Sequence, residues 1–76
     1  MAIDYTKYLT VEQRIAINKG ALERLAAEAY SNELAQKAAE AVGEDSTQFQ
    51  QNIAVIESVI ETHEAELAGL EPLVAE

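Results

Sequence analysis

Seventy-six residues with no cysteine and a formal charge of −9 allow one small domain, and they exclude disulfide staples, zinc knuckles and thiol nucleophiles. About half of the residues are apolar, unlike a typical disordered chain; at this length folding buries only roughly 60% of the surface that the unfolded chain exposes, so cover from a second copy or another protein is expected. All five basic residues (Lys7, Arg14, Lys19, Arg24 and Lys37) fall in residues 1–43 beside six acids, whereas residues 44–76 hold eight acids and no Lys or Arg, which argues against direct binding to nucleic-acid phosphates and for a protein partner with a basic surface.

No apolar run reaches 18 residues, and the start of the chain lacks a charged segment followed by an apolar one, so no membrane span or secretion signal is expected and the cytoplasm is the expected location. Residues 1–9 read as an N-terminal arm carrying Ile3, Tyr5, Tyr8 and Leu9. Tyr5 and Tyr8 have the amphipathic character that suits an interface; the alternative is that they fold back over the open end of the molecule near Leu70 and Leu73.

The tetrapeptide Thr10-Val11-Glu12-Gln13 has the spacing of a capping box. It opens a predicted helix over 10–43, with Gly43 in the left-handed position that ends a helix. Val11, Ile15, Leu22, Leu25 and Ala29 form one apolar seam, interrupted by Asn18, a residue able to fix register at such a position. After Tyr30 the apolar positions move round the helix to Leu34, Ala38, Ala41 and Val42, which predicts either a bend or the use of two faces. Asp45 and Ser46 compete to cap a second helix over 46–69. Gly69 is expected to end it, leaving residues 70–76 as a tail with Pro72.

Phe49, Ile53, Ile56, Ile60, His63, Leu67 and Leu70 recur at alternating steps of four and three, the spacing of a heptad seam. Val59 widens that face. Glu57, Glu61 and Glu64 form a separate acidic stripe, whose like charges disfavour one another by a few tenths of a kcal/mol per pair. A link of about three residues makes the helices antiparallel neighbours. Folding the chain about residues 44–45 places Phe49 near Ala38 and Ala41, Ile53 and Ile56 opposite Leu34 and Tyr30, and His63 near Leu25 and Ala26. The predicted fold is therefore an all-α antiparallel two-helix hairpin with a short N-terminal arm, dimerising into a four-helix arrangement through leftover apolar surface at Tyr30, Leu34, Val42 and Val59.

His63 is the single histidine. One turn away from it lie Val59, Ile60, Glu66 and Leu67, of which only Glu66 is a metal-ligand type. The Glu-x-x-His pair of di-iron bundles would need Glu at position 60, and a zincin helix would need His at 67. Ser31, Ser46 and Ser58 lack the strand-to-helix setting of a nucleophile elbow, and no glycine-rich phosphate loop is present. No catalytic, cofactor-binding or metal-binding residue is expected. His63 reads as a seam-edge residue, the alternative being a pH-responsive one.

The stretches "MAIDYTKYLTVEQRIAI" and "ETHEAELA" resemble short helical proteins encoded by marine cyanophages. The resemblance covers the two ends of the chain and implies a small virus-encoded protein working in the host cytoplasm by binding a host or viral protein; it supplies no catalytic residue. The expected function is protein binding, with Tyr5, Tyr8, Glu57, Glu61 and Glu64 as the contact residues. The alternatives are a structural or assembly component of a virion or complex, and an acidic nucleic-acid mimic that inhibits a DNA- or RNA-binding protein.

Overall fold

The computed structural model describes residues 3–74. It is an all-α helical hairpin. A single 3-10 turn, Tyr5–Lys7, precedes helix α1, Val11–Ala41, and helix α2, Thr47–Val74, returns antiparallel to it. The molecule is a rod of 53 × 30 × 15 Å, close in length to the ~47 Å of a straight 31-residue helix.

The capping box forms as its spacing predicts. The Thr10 hydroxyl accepts from the Gln13 amide at 3.1 Å, and the Gln13 side-chain oxygen accepts from the Thr10 amide at 2.7 Å, satisfying two of the donors that a helix start leaves free. At the other end, Gly43 takes φ +74°. The Glu44 amide donates to the Ala39 carbonyl at 2.8 Å and the Gly43 amide to the Glu40 carbonyl at 3.2 Å, the bond pair of a Schellman turn. α1 runs through Ser31 and Asn32 as one helix.

The Schellman turn sets the register. It folds Glu44 to Ser46 back along the last turn of α1, so the reversal comes earlier than residues 44–45. Asn52 bonds Asn32, a pair centred on residue 42, and His63 bonds Asn18, a pair centred between residues 40 and 41. The expected pairing of His63 with Leu25 and Ala26 is thus corrected by two turns of helix. Leu67 and Leu70 fall level with Val11 to Ile15, and Ile56 with the Leu25–Ala29 segment.

The predicted end of α2 is also corrected. The helix does not stop at Gly69 but continues through Pro72 to Val74, so most of the expected tail is helical. Leu70, at 3% exposure, is the most buried apolar residue among those described. Its burial is worth about 1.5–3 kcal/mol, more than the ~1 kcal/mol that a helical glycine costs. Pro72 withholds a bond only from the Ala68 carbonyl, whose residue is exposed to water.

The core is one seam deep. Ala21, Ile56, Leu67 and Leu70 are its buried apolar members, flanked by half-buried Val11, Ile15, Leu22, Leu25, Ala29, Phe49, Ile53 and Ile60. Beyond Ala29 the α1 side of the seam continues straight with Asn32, Ala35, Gln36 and Ala39, all half-buried, while Tyr30, Leu34, Ala38, Ala41 and Val42 are exposed. The apolar shift in the sequence therefore marks a second face of a continuous helix. Ile53 and Ile56 do not face Leu34 and Tyr30.

Candidate interaction surfaces

Two amide clamps cross the seam, built alike. Asn18 donates its side-chain amide to the Arg14 carbonyl at 2.8 Å, and Asn32 does the same to the Glu28 carbonyl at 2.9 Å. A carbonyl can only accept, so each asparagine turns its side-chain oxygen toward α2. Asn18 Oδ1 meets His63 Nδ1 at 2.8 Å. Asn32 Oδ1 accepts from Asn52 Nδ2 at 3.0 Å, and Asn52 in turn accepts from Gln48 at 2.9 Å. Facing an acceptor, His63 carries a proton on Nδ1. The neutral Nδ1–H ring and the imidazolium donate this same bond. Beside the first clamp, the Arg14 guanidinium reaches Glu66 at 3.1 Å. His63 is therefore a half-buried seam residue bonded across the hairpin to Asn18. Among the described residues no group of three or more His, Cys, Asp or Glu side chains is placed to hold a metal ion.

The candidate partner-binding carboxylates are brought together. Glu57, Glu61 and Glu64 are all exposed and share one edge of α2, because steps of four and three residues return to the same side of a helix. Glu71 extends that edge, where an open groove lined by Glu12, Ile15, Lys19, Glu71 and Val74 marks the open end of the hairpin. The Arg14–Glu66 pair lies on the opposite edge. Among the described residues ion pairs form only there and between Lys37 and Glu33, at 3.0 Å, so the stripe has no cation within pairing distance.

Tyr5 and Tyr8 are 55% and 75% exposed, and Leu73 is also exposed. Neither tyrosine ring is therefore packed away against the open end near Leu70 and Leu73. Asp4 holds its short turn, accepting from the Thr6 amide at 3.1 Å and the Thr6 hydroxyl at 2.5 Å.

The expected self-association residues are all exposed but do not form one patch. Tyr30 and Leu34 stand on the outer half of α1, roughly 130° and 170° from the seam at 100° per residue. Val59 and Val42 lie toward the broad side that carries Ile17, Val55 and Leu73. Sequence reasoning missed the Asn18–His63 and Asn32–Asn52 pairs. Their signal was present as Asn18, Asn32 and His63 at seam positions and Asn52 beside one, but a register displaced by one to two turns kept the partners apart.

The accessible surface is 5736 Å², against about 4,600 Å² for a compact monomer of this mass. The excess of ~1,100 Å² is comparable with the ≈800 Å² that one partner contributes to a standard interface. No described helix is long and apolar enough to cross a membrane. No family model, curated protein or solved structure matches the chain.

Proposed function

We propose that the protein is a non-catalytic protein-binding module that presents the acidic edge of α2 and the aromatic arm to a partner with a basic surface. The observation that carries this reading is the row Glu57, Glu61 and Glu64, three exposed carboxylates on one helix edge that form no ion pair among the described residues. Their mutual repulsion is relieved when lysine or arginine side chains of a partner approach. Tyr5 and Tyr8 add apolar area with hydrogen-bonding tips. On the cyanophage resemblance, the partner is a host or viral protein of an infected cyanobacterial cytoplasm.

The test is affinity capture from the host at low and high salt, using the wild type and the triple variant Glu57→Gln, Glu61→Gln, Glu64→Gln. The expected outcome is a captured protein that high salt releases and that the triple variant fails to retain. Capture that survives the triple substitution overturns the acidic edge as the binding surface.

A further inference from the structure

We infer that a second copy of this chain docks on the outer face of α1, back to back and antiparallel about a twofold axis at Tyr30. Ala27, Tyr30, Leu34, Ala38 and Ala41 lie within about 40° of one direction on α1, pointing away from α2. All are exposed, with Tyr30 at 61% and Leu34 at 48%. Upstream the same stripe continues through Gly20. A Cβ added there meets nothing within 4 Å, so nothing inside the chain requires the glycine, which costs a helix about 1 kcal/mol relative to alanine. Small residues at both ends of the stripe let two helices approach closely.

Self-complementarity selects a second copy as the occupant. Antiparallel packing about Tyr30 sets Tyr30 beside its own mate and Leu34 over the gap at Ala26 and Ala27. It also brings Glu23, a charged member of the stripe, to Lys37 of the other copy, whose ammonium already pairs with Glu33 of its own helix, so opposite charges meet twice. Charge distribution agrees. Residues 1–43 hold five basic and six acidic groups, whereas residues 44–76 hold eight acids, so contact through α1 keeps the two acidic halves on the outside. The broad side with Ile17, Val55 and Val59 is the poorer face, because Arg24 and Glu28 stand exposed among its apolar residues and contact there brings α2 against the other copy. The excess surface of ~1,100 Å² is large enough to supply the ≈800 Å² that one partner contributes to a standard interface. This interface leaves Glu57, Glu61 and Glu64 free and does not depend on the partner-binding reading.

Sedimentation velocity from about 1 to 100 µM tests it. The expected result is a concentration-dependent dimer for the wild type and a monomer for Leu34→Glu, with helicity by circular dichroism retained because Leu34 is exposed and lies outside the seam. Charge reversal supplies an independent reading. Glu23→Lys and Lys37→Glu each weaken the dimer roughly tenfold, and the double reversal restores it. The triple glutamine variant of α2 dimerises like the wild type, separating this interface from the acidic edge. A monomer across the whole range overturns the proposal, as does a dimer that Val55→Glu splits and Leu34→Glu leaves intact, or a double reversal no tighter than the single ones.

Discussion

The two ends of the hairpin are held by different physics. Near the turn, Ser46 is the one buried residue, and the seam there is built from Asn32, Ala35, Gln36 and Ala39 against Phe49, Asn52 and Ile53. What fixes this end is hydrogen bonding: the Schellman pair, the Ser46 hydroxyl between Glu40 at 3.4 Å and Gln50 at 3.0 Å, and the Asn32–Asn52 bond. At the open end the same two helices meet through Leu67 and Leu70 level with Val11 to Ile15. Chain connectivity explains the division. Asn32 and Asn52 are 20 residues apart and Arg14 and Glu66 are 52, so closing the unfolded chain at the open end costs about 1 kcal/mol more. Bonds with modest net worth suffice beside the turn, while the far end needs apolar burial.

The largest effect that can break this contrast is a cavity at the open end. Leu70→Ala is expected to lose about 2–5 kcal/mol, a large share of the stability of so small a chain, while Asn52→Ala near the turn is expected to lose about 1 kcal/mol. Urea unfolding of both variants checks the ranking. Equal losses would mean that the amide clamp near the turn matters as much as the apolar end.

A smaller effect separates register from stability. Asn18→Ala leaves the half-buried His63 Nδ1 without its partner and is expected to cost about 1–3 kcal/mol, whereas Asn18→Leu with His63→Leu is expected to be neutral or stabilising, because both polar partners are replaced by apolar ones. The pair should show a coupling energy of about 0.5–3 kcal/mol in a double-mutant cycle. If the clamp specifies register, the double leucine variant gains thermal stability yet gives more than one set of backbone amide resonances. A single set would show that the turn and the heptad seam fix register unaided.

This comparison also shows what was legible in the sequence. The capping box at Thr10, the left-handed Gly43 and the α2 seam from Phe49 to Leu70 could be read directly, because each is a local pattern with one physical cause. The register could not. It depends on how far the Schellman turn folds Glu44 to Ser46 back along α1, and a reversal displaced by about two to four residues changes every cross-helix partner. The end of α2 was misread for a related reason. Gly69 and Pro72 are local stop signals, and tertiary burial of Leu70 overrides the first. Of the candidate surfaces, the acidic stripe follows from spacing alone, but the grouping of Tyr30 and Leu34 apart from Val59 needed the seam to be placed first.

Gly20→Ala gives a smaller change. With open space at the added Cβ, the substitution is expected to raise stability by up to about 1 kcal/mol through helix propensity alone, at a site on the open half of α1. Thermal unfolding in dilute solution checks it. A loss of stability there would mean that the glycine serves a close contact already present in the monomer.

The smallest expected effect is a pH dependence confined to the turn. The Asp45 carboxylate accepts from the Thr47 hydroxyl at 2.6 Å and the Thr47 amide at 2.9 Å, and these bonds, the hydroxyl first, hold its pKa below the usual 3.8. A carboxyl whose folded value lies below its unfolded one contributes stability that is complete above the unfolded value, near 3.9, and is lost as pH falls through the lowered folded value. Asp45→Asn keeps an acceptor for the Thr47 amide but removes the charge. The wild type should therefore exceed the variant by a fixed margin at neutral pH, and the margin should close as pH falls below about 4. Burial of Leu67 and Leu70 carries no proton-linked part, so Leu70→Ala should show the same loss at pH 7 and in the acid range. A margin for Asp45→Asn that stays constant down to pH of about 2 would show that the start of α2 is held by the neutral groups around Ser46 and not by the Asp45 carboxylate.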